Sequence, residues 1–286
     1  MYFNFSFKQE WANAVMFSLL TPSLIMYLLN MLLLEKSIIV YGSNLSLVSS
    51  LTSAIVNLLR PFTWEGVYIP IIPANAIELL EAPVPFIVGT NIPFEVQSIS
   101  PSANVLYVDE ILRCYLRADF SLEEMMQAKC LHRSLDVTVK MPMNQHLRNR
   151  LDSIHNLLCR RLPPCFQAST QHDTKKAEIQ IFNFQSSYFF KQGSLSPEVR
   201  GAIKGINQFL GQHNIMLTGD ISENDGGWRK YGVFDPFTDV YNFFPQWFLD
   251  HQTSILEFQT ALVQTQLFYS FVDSVKLMHT EKEFQR

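Results

Sequence analysis

The 286-residue sequence lacks the local signatures of the common covalent chemistries. It has no G-x-x-x-x-G-K-[ST] phosphate loop, no G-x-G-x-x-G turn, no G-x-S-x-G elbow and no H-E-x-x-H pair. Each of those spacings serves a purpose: cradling phosphate with backbone N–H groups, exposing a strained serine, or placing two imidazoles on one helix face. Cysteine is scarce. Cys114, Cys130, Cys159 and Cys165 include no C-x-x-C pair, so no disulfide framework is implied and a reducing, cytoplasmic setting fits. Cations are not in excess either. A formal net charge of -4 removes any broad electrostatic footprint for nucleic acid. The seven histidines scatter without triad logic, and nothing calls for a cofactor.

What the sequence does have is a long uncharged run. Residues 11–34, WANAVMFSLLTPSLIMYLLNMLLL, are long enough by count for a membrane span. Thr21-Pro22 interrupts the run and starts a new helix, with Thr21 as N-cap and Pro22 at the first helical position. Ser23, Tyr27 and Asn30 recur at helical spacing, so the second half is amphipathic. A charged pair, Glu35 and Lys36, and then an apolar strand follow at once. Lys8 is the one early cation and Glu10 precedes the apolar run, which does not fit a signal peptide. The run reads as core helix rather than membrane span, and residues 1–10 as a linker or the end of an upstream module.

From there strands alternate with helices. SIIVYG (37–42) reads as a strand. LSLVSSLTSAIVNLL (about 45–59) reads as a helix with Leu47, Val48, Leu51, Ile55, Leu58 and Leu59 on its apolar face and Ser46, Ser49, Ser50, Ser53 and Asn57 opposite. Asn44 or Ser43 caps its start, and Arg60-Pro61 ends it. VYIPII (67–72), PFIVG (85–89) and NVLYVD (104–109) are further apolar runs, with a short helix, AIELLEA, between Pro73 and Pro83. This alternation predicts an α/β layer with a mainly parallel sheet and flanking helices.

After about residue 110 the pattern changes to helices at 145–162, 178–191, 197–211 and 253–279. The expected organisation is residues 1–11 as linker, 12–112 as the α/β module, 113–140 as a connecting segment and 141–286 as an all-helical downstream lobe. Asp220-x-Ser222-x-Asn224 hints at a calcium loop, but Asp225 stands where glycine belongs and Tyr231 where glutamate belongs, so a solvated turn fits better. His155, Cys159 and Cys165 supply three zinc-type ligands without a fourth, and read as helix residues rather than a metal site.

Residues 60–90, RPFTWEGVYIPIIPANAIELLEAPVPFIVGT, carry five prolines and four charged side chains, Arg60, Glu65, Glu78 and Glu81. With the preceding LLLEKSIIVYG and its Ser-rich helix, this stretch resembles the central module of DENN domains. The matching pieces are LLLEKSIIVYG, RPFTW, VYIPIIP and LEAPVPFIVG, and NVLYVDE is similar to the next strand. HLRNRLDSI, VRGAIKGINQFLG and LVQTQLFYSFVDS resemble helices of the downstream module, with Thr265, Gln266, Phe268 and Phe271 in its closing pattern. The resemblance extends over most of residues 12–278. Two departures stand out: no longin-like module is visible in the roughly 20 residues before the match, and residues after Asp109 follow no alignable pattern.

The resemblance implies guanine-nucleotide exchange on a Rab-type small GTPase, by shape and linkage rather than covalent catalysis. It implies a longin-type module or partner as the other half of the docking groove, and peripheral recruitment to vesicle membranes. A non-catalytic scaffold that binds a GTPase or partner protein is the alternative. GTPase activation with an arginine finger is a third reading, but Arg60 and Arg113 have no special claim to that role. Trp64, Pro70, Pro73, Pro83 and Pro85 first of all set turns and strand ends. The candidate partner-binding residues are Asn44, Ser46, Trp64, Glu65 and Glu81, at strand-end loops where aromatic and polar side chains meet.

Overall fold

The computed structural model describes residues 2–95, 98–116, 130–132, 139, 141, 145–159, 190–191, 194–218, 230, 232–235, 240–250 and 256–284. The helix expected at 178–191 falls outside these except for its last two residues, which form a strand. The calcium-like loop, Cys165 and most of the connecting segment also lie outside them.

The uncharged run folds as two helices, α1 (Tyr2–Leu19) and α2 (Pro22–Leu33). Thr21 divides them as expected, its hydroxyl accepting from the Leu24 N–H. Residues 2–10 are not a linker: they are the first turns of α1. Among the described residues, no helix is long and apolar enough to cross a membrane. The polar stripe of α2 faces the protein. Tyr27 donates to Asn104 Oδ1 at 3.0 Å, and Asn30 bonds the backbone of Val139 and Met141.

The sheet follows. Strands β1 (Ile38–Tyr41), β2 (Val67–Ile69), β3 (Phe86–Thr90), β4 (Asn104–Tyr107) and β5 (Leu131–His132) lie in the order β2-β3-β1-β4-β5. The first four are parallel and β5 is antiparallel to β4. Helix α3 (Leu45–Asn57) links β1 to β2, a 3-10 helix (Ala74–Glu81) lies between β2 and β3, and α4 (Val108–Leu116) continues from β4. Side chains alternate between the two faces with the period of a strand. Ile38, Val40, Ile87 and Leu106 join the larger core with α1, α2 and α3. Ile39, Phe86, Val88 and Val105 form a smaller core under the 3-10 helix and the loop that carries Phe94 and Ile99. Burial on both faces explains why these strands read as continuous apolar runs.

Downstream lie α5 (Gln145–Cys159), the ribbon β6–β7 (Phe190–Lys191, Ser194–Leu195) and α6 (Pro197–Met216). The ribbon β8–β9 (Gly232–Asp235, Val240–Phe243) and helices α7 (Pro245–Asp250), α8 (Leu256–Leu262) and α9 (Gln266–Phe284) complete the order. The part expected to be all-helical therefore includes two short antiparallel ribbons. The expected 253–279 helix is broken between Leu262 and Gln266. Thr265 turns its hydroxyl back to the Phe268 N–H, and the Glu35 carboxylate accepts from Gln266 N–H (3.0 Å) and Leu267 N–H (2.7 Å). A carboxylate seated on these N–H groups satisfies donors that a helix start otherwise leaves open.

The larger core is continuous. Leu147, Leu151, Ile154 and Leu158 of α5, Ile203 and Leu210 of α6, and Phe268 and Val272 of α9 belong to the same cluster as α1 to α3. Polar ties cross it too. Asn214 donates to the Leu58 and Arg60 carbonyls, both at 2.8 Å, and Arg200 pairs with Glu10 at 3.2 Å.

Candidate partner interface

The five candidate residues do not form one cluster. Helix α3 runs back along the parallel sheet, so its start lies at the carboxyl edge of the strands. The loops that enter β2 and β3 lie at the amino edge. Asn44 and Ser46 therefore stand at one edge, and Trp64, Glu65 and Glu81 at the other.

At the carboxyl edge, Asn44 caps α3. Its Oδ1 accepts from the Ser46 N–H (3.0 Å) and the Leu47 N–H (3.2 Å), so its side chain is committed to the helix start. Ser46 is exposed, and its carbonyl accepts from the Ser49 and Ser50 hydroxyls. The turn before Asn44 is pinned by Asp109 at the start of α4. Its carboxylate accepts from the Ser43 N–H at 3.0 and 3.1 Å and from the Ser43 hydroxyl at 3.1 Å. Gly42 makes this approach possible, because a Cβ there would come within 2.8 Å of Val108 Cβ. Asp109 was visible in the sequence as the acid that ends an apolar strand, but its partner lies 66 residues away. Leu45 is 41% exposed beside this pinned turn, and Ser43 and Asn91 are exposed with it.

Behind the edge, Tyr41, Phe94 and Tyr107 pack edge to face, with Tyr41 5.5 Å from Phe94 and 5.9 Å from Tyr107. Burial pushes the Tyr107 hydroxyl above its ordinary value, and neighbouring Tyr41 adds to the shift.

At the amino edge, Trp64 is half-buried against the larger core, and its Nε1–H donates to the Val67 carbonyl at 3.2 Å. The ring lies against Gly66, where an added Cβ would meet the indole at 3.0 Å. Trp64 thus packs against the turn that enters β2. Glu65 is exposed and accepts from the Ser270 hydroxyl of α9 at 2.7 Å. Glu81 is exposed at the last position of the 3-10 helix. His155, a candidate ligand by spacing, has its Nδ1 at 3.0 Å from the Phe17 carbonyl. Among the described residues, no group of three His, Cys, Asp or Glu converges on one point. The carboxyl edge offers a stiff backbone with a protruding Leu45 and hydroxyl and amide groups around it.

Residues 7–110, which build α1 to β4 and the first turn of α4, match the DENN (AEX-3) domain. That segment, about a third of the chain, is similar to a DENN domain. Similar proteins include human DENN domain-containing protein 2B, 37% identical over 94 residues, or 33% of this chain and 8% of that protein. Human DENN domain-containing protein 2C is 38% identical over 94 residues, covering 32% of this chain and 10% of its own length. A DENN domain-containing protein of Schizosaccharomyces pombe is 29% identical over 202 residues, 63% of this chain and 19% of that protein. The chain's matched part therefore spans between about a twelfth and a fifth of these relatives. The fission-yeast match is long enough to extend beyond the DENN segment at 7–110.

Proposed function

We propose that this chain promotes GDP release from a Rab-type small GTPase. The observation that carries the reading is the DENN match over the residues that build the parallel sheet and its carboxyl edge. Exchange needs no nucleophile. A protein that binds the nucleotide-free GTPase more tightly than its GDP form loosens GDP by the same factor. A pinned turn suits this task, because a surface that does not reorganise keeps its binding free energy for the partner.

In this reading Leu45 and Ser46 touch the GTPase, and Asn44 and Asp109 hold the turn that presents them. Glu81 at the amino edge, Trp64 and Glu65 lie outside that contact. A longin-type module, in the same protein or on a partner, supplies the opposing wall. The protein works in the cytoplasm and reaches vesicle membranes through its GTPase.

The test is the affinity of the chain for one Rab in two states, nucleotide-free and GDP-loaded, measured by calorimetry. Exchange requires at least a tenfold preference for the nucleotide-free form. Equal affinities would leave a scaffold that binds a GTPase without acting on it.

A further inference from the structure

Two packed helices leave a furrow between them, and the side chains along it decide how closely another element can approach. Helices α5 and α6 pack against each other and leave an open groove of about 470 Å³. Its floor is apolar. Ile154 and Ile206 are buried there, and Leu157, Ala202 and Phe209 are half-buried. On the α6 side Gly201 and Gly205 are exposed, and a Cβ at either would meet nothing within 4 Å. Glycine inside a helix weakens it, and nothing in the packing of the described residues calls for these two. They leave the α6 backbone open to close approach from outside.

The charge of the groove is one-sided. Arg150 is the one charged residue that lines it, and it is exposed. Its Cζ lies 5.7 Å from the Phe209 ring centroid, and among the described residues no carboxylate pairs with it. A guanidinium over a ring keeps its in-plane N–H donors for a planar acceptor. Lys204, exposed beside Gly201 and Gln208 on α6, adds a second cation at the rim. The two helices have one acid each, and neither answers these charges. Asp152 acts on His155, whose Nδ1 meets the Phe17 carbonyl of α1, on another side of α5. Glu198, in the first turn of α6, does not line the groove. Complementary charge for this surface is a carboxylate.

We propose that the groove between α5 and α6 receives an amphipathic helix of a partner protein, with small or aliphatic residues on its buried face and a carboxylate for Arg150. The partner helix crosses Gly201 and Gly205, and its apolar residues, three and four apart, cover Ile154, Leu157, Ile206 and Phe209. None of the lining residues belongs to the carboxyl edge, so the contact is independent of nucleotide exchange.

A phage library of helices randomised on one face in a monomeric scaffold, selected on the immobilised chain, tests this without any GTPase. The expected result is enrichment of clones that set Asp or Glu beside small or aliphatic residues. As purified proteins they should bind about tenfold or more weakly to Gly205→Leu, which fills the approach, and to Arg150→Glu, which reverses the charge. Gly205→Leu should melt no lower than the unaltered chain, because leucine favours a helix over glycine. Arg150→Glu changes an exposed side chain, so loss of binding in both variants reports the groove and not unfolding. Absence of any clone that both variants weaken, or enrichment of basic faces, would overturn the proposal. So would self-association of the chain that Gly205→Leu abolishes, since the groove would then receive a second copy. Binding to phosphatidylserine vesicles that Arg150→Glu abolishes would assign the groove to lipid and equally overturn it.

Discussion

Single residues hold this molecule together over long distances in sequence. Glu35 is the clearest case. It adopts a left-handed backbone conformation, φ 50°, in the turn before β1. From there its carboxylate holds the first N–H groups of α9, 231 and 232 residues further on. Glu35→Ala removes a charged helix cap, which is worth about 1–2 kcal/mol. A urea titration should show that loss as a lower midpoint with an unchanged slope. Two imidazoles, buried His213 and half-buried His155, make a second prediction at this scale. Burial lowers the pKa of His155 and of His213, against the opposing pull of the hydrogen bond to the Phe17 carbonyl in one and to Asn214 in the other. A histidine with a lowered folded pKa is held neutral by the fold. Its contribution is complete above the unfolded value, about 6.5, and is lost as pH falls through the folded pKa. The melting temperature should therefore fall on acidification from about pH 7.5 to about pH 5.5, and fall less in His213→Gln.

At the scale of elements, glycines separate close packing from open surface. At Gly89 in β3 a Cβ would collide with the Pro70 carbonyl and press Val48 and Thr52 of α3. The missing side chain lets α3 and the segment after β2 lie close to β3. At Gly205, inside α6, a Cβ would meet nothing within 4 Å. Gly205→Ala should raise stability by about 0.5–1 kcal/mol, the ordinary gain of alanine in a helix interior. Gly89→Ala should lower it by about 1–3 kcal/mol, as overpacking does. Thermal unfolding of both variants checks the opposite signs. The same scale shows what sequence could reveal. Thr21-Pro22, the Asn44 cap, Pro197 at a helix start and four apolar runs each signal their element within a few residues. These local signals sufficed for the parallel sheet. The break between α8 and α9 could not be read this way. Phe258, Leu262, Leu267, Phe268, Phe271, Val272 and Val275 are all buried, so the apolar pattern runs on across the break. Thr265 caps the second helix locally, but the Glu35 carboxylate that holds its first N–H groups lies in no local window. The two-residue strands of β6–β7 are likewise too short to produce a periodic signal. Of the candidate residues, the Asn44 cap could be read locally, whereas Asp109 gains its meaning from Ser43 across the sheet. An aromatic side chain beside a turn, as Trp64 is, serves packing and binding alike, so its sequence context does not separate the two.

The whole molecule is a sheet layer joined to a mainly helical downstream part by one continuous core. Asn214 and Glu35 add hydrogen bonds across that junction. A surface built on such a frame moves little on binding, which suits a protein that acts by preferring one state of its partner. A variant at the carboxyl edge links the structure to function. Leu45 is exposed, so Leu45→Asp should leave folding intact and reduce exchange about tenfold, the effect of removing an interface anchor. The most direct measurement is release of a fluorescent GDP analogue from a panel of purified Rab proteins, with the chain alone and with a longin-type module added. The expected result is acceleration of at least one Rab, in proportion to the concentration of the chain and weakened by Leu45→Asp. Failure to accelerate any Rab in either arm, with binding retained, would contradict exchange as the function of this chain.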